Sequence, residues 1–205
     1  MPTTSLIDEL IATIPVLTDG AWGTELQARG LPAGEIGDLW NLVHPERVEA
    51  VARAYVDAGS RIILTNTFRA NCIALERHAD GSRVAEINRS GVEISRRAAR
   101  GRALVFASIG PSGKLLVTGE IDEVHLAAAF AEQAQALAGA GADALVVETM
   151  TDLDEARIAV AAAVATGLPV VACMVFDSGK HRDRTMMGIA PQQAAVELVR
   201  AGAQV

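Results

Sequence analysis

Five polar clusters carry the chemistry of this chain, and each stands directly behind a short apolar run: Thr18-Asp19-Gly20, Thr65-Asn66-Thr67, Ser108 to Gly113, Glu148-Thr149 and Asp177-Ser178-Gly179. Two isolated carboxylates, Asp19 and Glu148, are the principal candidates for holding a ligand. Asp19 precedes a glycine and suits a turn former or helix cap as well as a ligand acceptor. Glu148 follows four apolar residues, where a ligand contact competes with a structural ion pair to an arginine. Asn66, between two threonines, suits a pocket wall or a lock on loop backbone. Segment 108–113 reads as a shaped loop and the charge-dense 177–184 as a solvated excursion.

Other chemistries find less support. Cys72 falls on the helix after the second strand, with His78 six positions on and off its face. Cys173, between Ala172 and Met174, reads as a core residue. His44, His125 and His181 are scattered. Lys114 and Lys180 both fall in loops, which disfavours a barrel lyase or aldolase working through a Schiff base. No G-x-G-x-x-G follows a strand, and there is no Walker lysine loop.

The elements that must position these clusters repeat along the chain. Residues 46–58 place Val48, Val51, Ala52, Tyr55 and Val56 at helical spacing, and Ala58-Gly59 supplies a left-handed stop before the strand run Arg61 to Leu64. The same pattern recurs at Gly101 before 103–107, Gly141 before 144–147, Gly167 before 170–174 and Gly202 before Val205. Short apolar strands alternating with helices must lie parallel, so the polar clusters at their carboxyl ends share one face. An opening strand near Pro15 to Thr18 makes five, with a sixth just starting at the last residues.

Composition agrees with an α/β chain. Half of the 205 residues are apolar, 3% are aromatic and 21% are charged, which excludes a disordered segment. A formal charge of −7, with no basic block, disfavours nucleic acid as a partner. The apolar tract from Ile158 to Phe176 is broken at Thr166 to Pro169, so it reads as helix, turn and strand rather than a membrane span. Two distant cysteines and a start without a basic, apolar leader predict a cytoplasmic protein.

Asp19-Gly20-Ala21-Trp22-Gly23-Thr24-Glu25-Leu26-Gln27 resembles the opening signature of the homocysteine S-methyltransferase family, the homocysteine-binding module also found in cobalamin-dependent methionine synthases. Four further segments agree in order and spacing: Thr65 to Phe68 with Asn71, Ser108 to Gly113, Glu148 to Met150 with Asp152 and Glu155, and Thr185 to Gly188. The resemblance spans residues 16–205 and implies a (β/α)8 TIM barrel. The whole chain, 1–205, then reads as one homocysteine-binding barrel domain cut short after about five βα units and the start of strand 6. Such a barrel typically takes about 250 residues.

The implied reaction is methyl transfer to the zinc-bound thiol of homocysteine, giving methionine. On the resemblance, Asp19 and Glu148 receive the substrate ammonium, the N–H groups of Gly20 and Ala21 approach its carboxylate, and Asn66 lines or locks the pocket. The family's three zinc cysteines fall after its sixth and eighth strands, beyond the last residue of this chain. Expected partners are homocysteine and a methyl donor, with cobalamin as one carrier and a corrinoid or folate module as a neighbour. The alternative is an inactive barrel fragment, or a binding domain completed by another chain.

Overall fold

The structure, a computed structural model, describes residues 5–76 and 81–205. In chain order the helices and strands are α1 (Leu6–Ile11), α2 (Trp22–Ala28), α3 (Trp40–Val43), α4 (Pro45–Asp57), β1 (Ile62–Leu64), α5 (Cys72–Glu76), α6 (Val84–Ala99), β2 (Leu104–Ile109), α7 (Glu123–Gly139), β3 (Ala144–Met150), α8 (Leu153–Val164), β4 (Val170–Met174) and α9 (Pro191–Ala201). The strands form one parallel sheet in the order β1-β2-β3-β4. The five recurrent glycines all have positive φ, from 73° at Gly101 to 106° at Gly202, as expected where each helix must stop and turn.

Three expectations are corrected. The opening run near Pro15 to Thr18 forms a single parallel bridge, Thr18 to Ile62, in place of a strand, so the sheet has four named strands and not five. Pro15 has no N–H to donate to a ladder, which shortens what this segment can pair. The last residues do run beside β4, where the Ala172 N–H donates to the Val205 carbonyl at 2.8 Å and the Gln204 N–H to the Val170 carbonyl at 2.9 Å. Second, Ser108 and Glu148 lie within β2 and β3 rather than after them. Third, Cys173 is exposed and not a core residue. It sits on β4, whose inward face is left open.

The two faces of the sheet are covered unequally. The outer face packs under α4 and α6 at Ile63 and Val105, and under α7, α8 and α9 around Phe130, Leu137, Leu145, Val147 and Val160, all fully buried. Burial contributes roughly 1.5–3 kcal/mol for each such large side chain. The inner face carries Ile62, Phe106, Ala144 and Val146, and its cover is the short helix α1 through Ile7 and Leu10. A reciprocal cap starts that helix: Ser5 Oγ accepts from the Asp8 N–H at 3.2 Å, and Asp8 Oδ2 accepts from the Ser5 N–H at 3.3 Å.

A bulge in β3 decides which side chains reach the inner face. Val147 pairs with Ala172, but the next pair is Met150 with Met174, so three steps on β3 oppose two on β4. The extra residue is absorbed at Thr149, whose φ of 61° is left-handed and strained for a β-branched side chain. Val146 and Glu148 face inward with period two, and unbroken alternation would send Met150 there as well. The bulge reverses the phase, and Met150 is fully buried in the outer core.

Candidate functional site

Asp19 follows the Thr18 bridge and is anchored to the end of β1. Its Oδ2 accepts from the Leu64 N–H and from the Trp22 indole Nε1, each at 2.7 Å. The helix-cap alternative does not hold, because the N-cap of α2 is Ala21 and no side chain caps it. Burial pushes the Asp19 carboxyl above its usual range; the Leu64 and Trp22 donors pull it back, and the Glu148 charge adds to the rise. Asp19 and Glu148 therefore feel each other across the site.

Glu148 has no arginine partner among the described residues, so the ion-pair alternative also fails. Its Oε1 accepts from Ser108 Oγ at 2.6 Å. Asp19, Gly20 and Glu148 together line a cavity of about 560 Å3 on the inner face, whose remaining wall is mostly aliphatic. Gly20 and Glu148 also border a second hollow of about 340 Å3, shared with Ala21, Asn66 and Ser108. Oδ1 of Asp19 and Oε2 of Glu148 receive no hydrogen bond from another described residue.

The remaining predicted residues divide. Gly20 borders both hollows and Ala21 the smaller one, and a Cβ at Gly20 would stand 3.0 Å from the Tyr55 hydroxyl, which itself donates to the Ala21 carbonyl at 2.9 Å. Asn66 is a lock: its Nδ2 donates to the Gly37 carbonyl at 2.7 Å and to Asn41 Oδ1 at 3.0 Å, while Asn41 Nδ2 returns a bond to the Asn66 carbonyl at 2.7 Å. Asp38 belongs to the same clasp, accepting from the Arg69 N–H at 2.8 Å, and burial pushes its carboxyl up to about 6.

Sequence reading missed four contributors. Ser108 lay in a segment taken for a shaped loop, and Tyr55 in a helical stripe read as core; neither role has a local signal. Trp22 on Asp19 is a contact three residues along the chain, visible in principle. Cys173 lines the larger cavity, where desolvation and then the Glu148 charge raise its thiol even though the residue is exposed. Among the motif residues, Asp152 caps α8 by accepting from the Asp154 N–H at 2.9 Å, and Glu155 Oε1 accepts from the Ser112 N–H at 2.7 Å, which ties two motifs together.

No three His, Cys, Asp or Glu side chains converge as a metal donor set among the described residues. Cys72 faces Glu76 and Glu132 in a separate hollow, and His78 lies outside the described residues. His44 packs edge-on to Trp40 and His125 bonds Asp122 at 2.8 Å. Lys114 is 3.8 Å from Glu120, and neither lysine lines the cavity. No described helix is long and apolar enough to cross a membrane.

The chain is 32% identical over 169 residues to methionine synthase of Mycobacterium tuberculosis, a match that covers 77% of this chain and 14% of that protein. It is 32% identical over 208 residues to betaine–homocysteine S-methyltransferase 1 of Mus musculus, covering 98% of this chain and 49% of that protein. The chain thus spans about half, or less, of the length of these relatives. The homocysteine methyltransferase MmuM of Escherichia coli, in its metallated form, shares the fold with a TM-score of 0.79 at 23% identity, over 96% of this chain and 74% of that one. Residues 16–205 match the profile described as Homocysteine S-methyltransferase, and the chain belongs to that family.

Proposed function

We propose that this chain carries the amino-acid-binding part of an enzyme that transfers a methyl group to the thiol of homocysteine, giving methionine. The observation that carries the reading is the pair Asp19 and Glu148, each with one oxygen held by the protein and the other receiving no hydrogen bond from another described residue, on the wall of one cavity. Two fixed carboxylates match an ammonium group, and charge-assisted hydrogen bonds of this kind contribute roughly 1.5–3 kcal/mol each. The N–H groups of Gly20 and Ala21 are offered to the substrate carboxylate, where the small residue at 20 leaves room beside Tyr55. Asn66 acts by holding the loop, not by touching the ligand.

The parallel arc belongs, on this reading, to a (β/α)8 barrel, supported by the fold shared with MmuM over most of that chain. A zinc site would need about three protein donors and an open position. The described residues do not fit one, since Cys173, Asp19 and Glu148 share the cavity wall without converging as a donor set and Cys72 lies in a different hollow. Their work is recognition and orientation of the amino acid. A methyl donor, cobalamin as one carrier, and a neighbouring corrinoid or folate module complete the proposal, supported by the match to methionine synthase. The two free cysteines support a cytoplasmic setting.

Calorimetric titration with homocysteine and with its desamino analogue, 4-mercaptobutanoate, tests the reading. Homocysteine should bind at least tenfold more tightly. Equal affinities would show that the carboxylates do not receive an ammonium.

A further inference from the structure

Ser108 is 1% exposed, and its three polar groups are all spoken for. Its N–H donates to Thr65 Oγ1 at 3.1 Å, and its carbonyl accepts from Thr67 Oγ1 at 2.7 Å. The two threonine hydroxyls are 2.6 Å apart. A hydroxyl has one proton to give. That of Thr67 goes to the Ser108 carbonyl, so that of Thr65 must go to Thr67. The result is a closed ring with a single direction, from the Ser108 N–H through both threonines and back to its own carbonyl. A carboxylate only accepts, so the Ser108 hydroxyl proton points to Glu148 Oε1, 2.6 Å away.

We propose that Ser108 is a positioning residue, clamped by Thr65 and Thr67, that fixes the rotamer of Glu148 and thereby sets how strongly the site discriminates for an amino group on its ligand. With its hydroxyl proton and both backbone groups engaged, Ser108 acts on the ligand through Glu148. Oε1 is occupied by Ser108, which leaves Oε2 of this cavity-lining residue without a partner among the described residues. The inference rests on the homocysteine reading.

The measurement is the ratio of the affinities for homocysteine and 4-mercaptobutanoate, by calorimetry, in the full chain carrying Ser108→Ala or Ser108→Cys. Both variants remove the strong donor, and the thiol keeps the volume should alanine fail to fold. The ratio should fall about tenfold in each, through weaker homocysteine binding, with analogue affinity unchanged. A ratio equal to that of the parent protein would overturn the assignment, as would equal losses for both ligands. Glu148→Gln separates the two levels: if it leaves the ratio intact, the ammonium reading itself fails, whereas a collapsed ratio in Glu148→Gln with an intact one in the Ser108 variants removes only the role of Ser108.

Discussion

The backbone N–H of Leu64 donates to Asp19 Oδ2 over 2.7 Å, so the end of β1 holds the carboxylate that an earlier loop supplies. The acid is thus fixed from two sides, by the strand residue Leu64 and by the Trp22 indole of its own turn. Replacing Asp19 by Asn keeps an acceptor for Leu64 while removing the charge. Asp19→Asn and Glu148→Gln should each weaken homocysteine about 10- to 100-fold in calorimetry, with thermal midpoints close to the parent. Affinity within twofold of the parent in both would rule out the pair as the ammonium site.

Burial and the Glu148 charge raise the Asp19 carboxyl, and an ammonium ligand needs it ionised. Homocysteine affinity should therefore decline as pH falls through that raised value. In Asp19→Asn the decline should begin at lower pH, from a weaker plateau. Profiles of identical shape in the two proteins would show that Asp19 does not titrate against ligand.

Asp38 gives a stability signature of the opposite sign to the usual carboxylate. Its carboxyl ionises near 3.8 when unfolded and is pushed up to about 6 by burial, so between these values the native state binds the proton more tightly. The stabilisation is complete below 3.8 and is lost as pH rises through about 6. The ceiling is about 3 kcal/mol. Urea unfolding at pH 4 and pH 7 should show this fall in the parent and a much smaller one in Asp38→Asn, which keeps an acceptor for the Arg69 N–H. Parallel changes in both proteins would contradict a buried, protonatable Asp38.

Gly110 lies where β2 meets the clasp loop. Its N–H donates to the Phe68 carbonyl at 2.9 Å, and an added Cβ would fall 2.5 Å from that same oxygen. Backbone cannot step aside as a side-chain tip can. Gly110→Ala should cost about 1–3 kcal/mol and lower the thermal midpoint by roughly 3–10 °C. An unchanged midpoint would mean that the two segments do not approach this closely.

The helices ended by Gly59, Gly101, Gly141, Gly167 and Gly202, and four of the strands after them, were legible because apolar spacing and a left-handed stop are local. Cys173 was misread for the same reason: an apolar run says that a strand is buried without saying that one face borders an open cavity.

The chain's own order of residues determined the alternation of strands and helices, the parallel sense of the sheet, and the placing of Asp19 and Glu148 behind apolar runs. The tertiary structure decided which oxygen of each carboxylate is held by another residue, that Ser108 rather than an arginine holds Glu148, and that the bulge at Thr149 turns Met150 away from the cavity. The difference is physical. Periodicity encodes burial one segment at a time, whereas the convergence of groups depends on register and twist summed across several strands, and no single segment carries that sum.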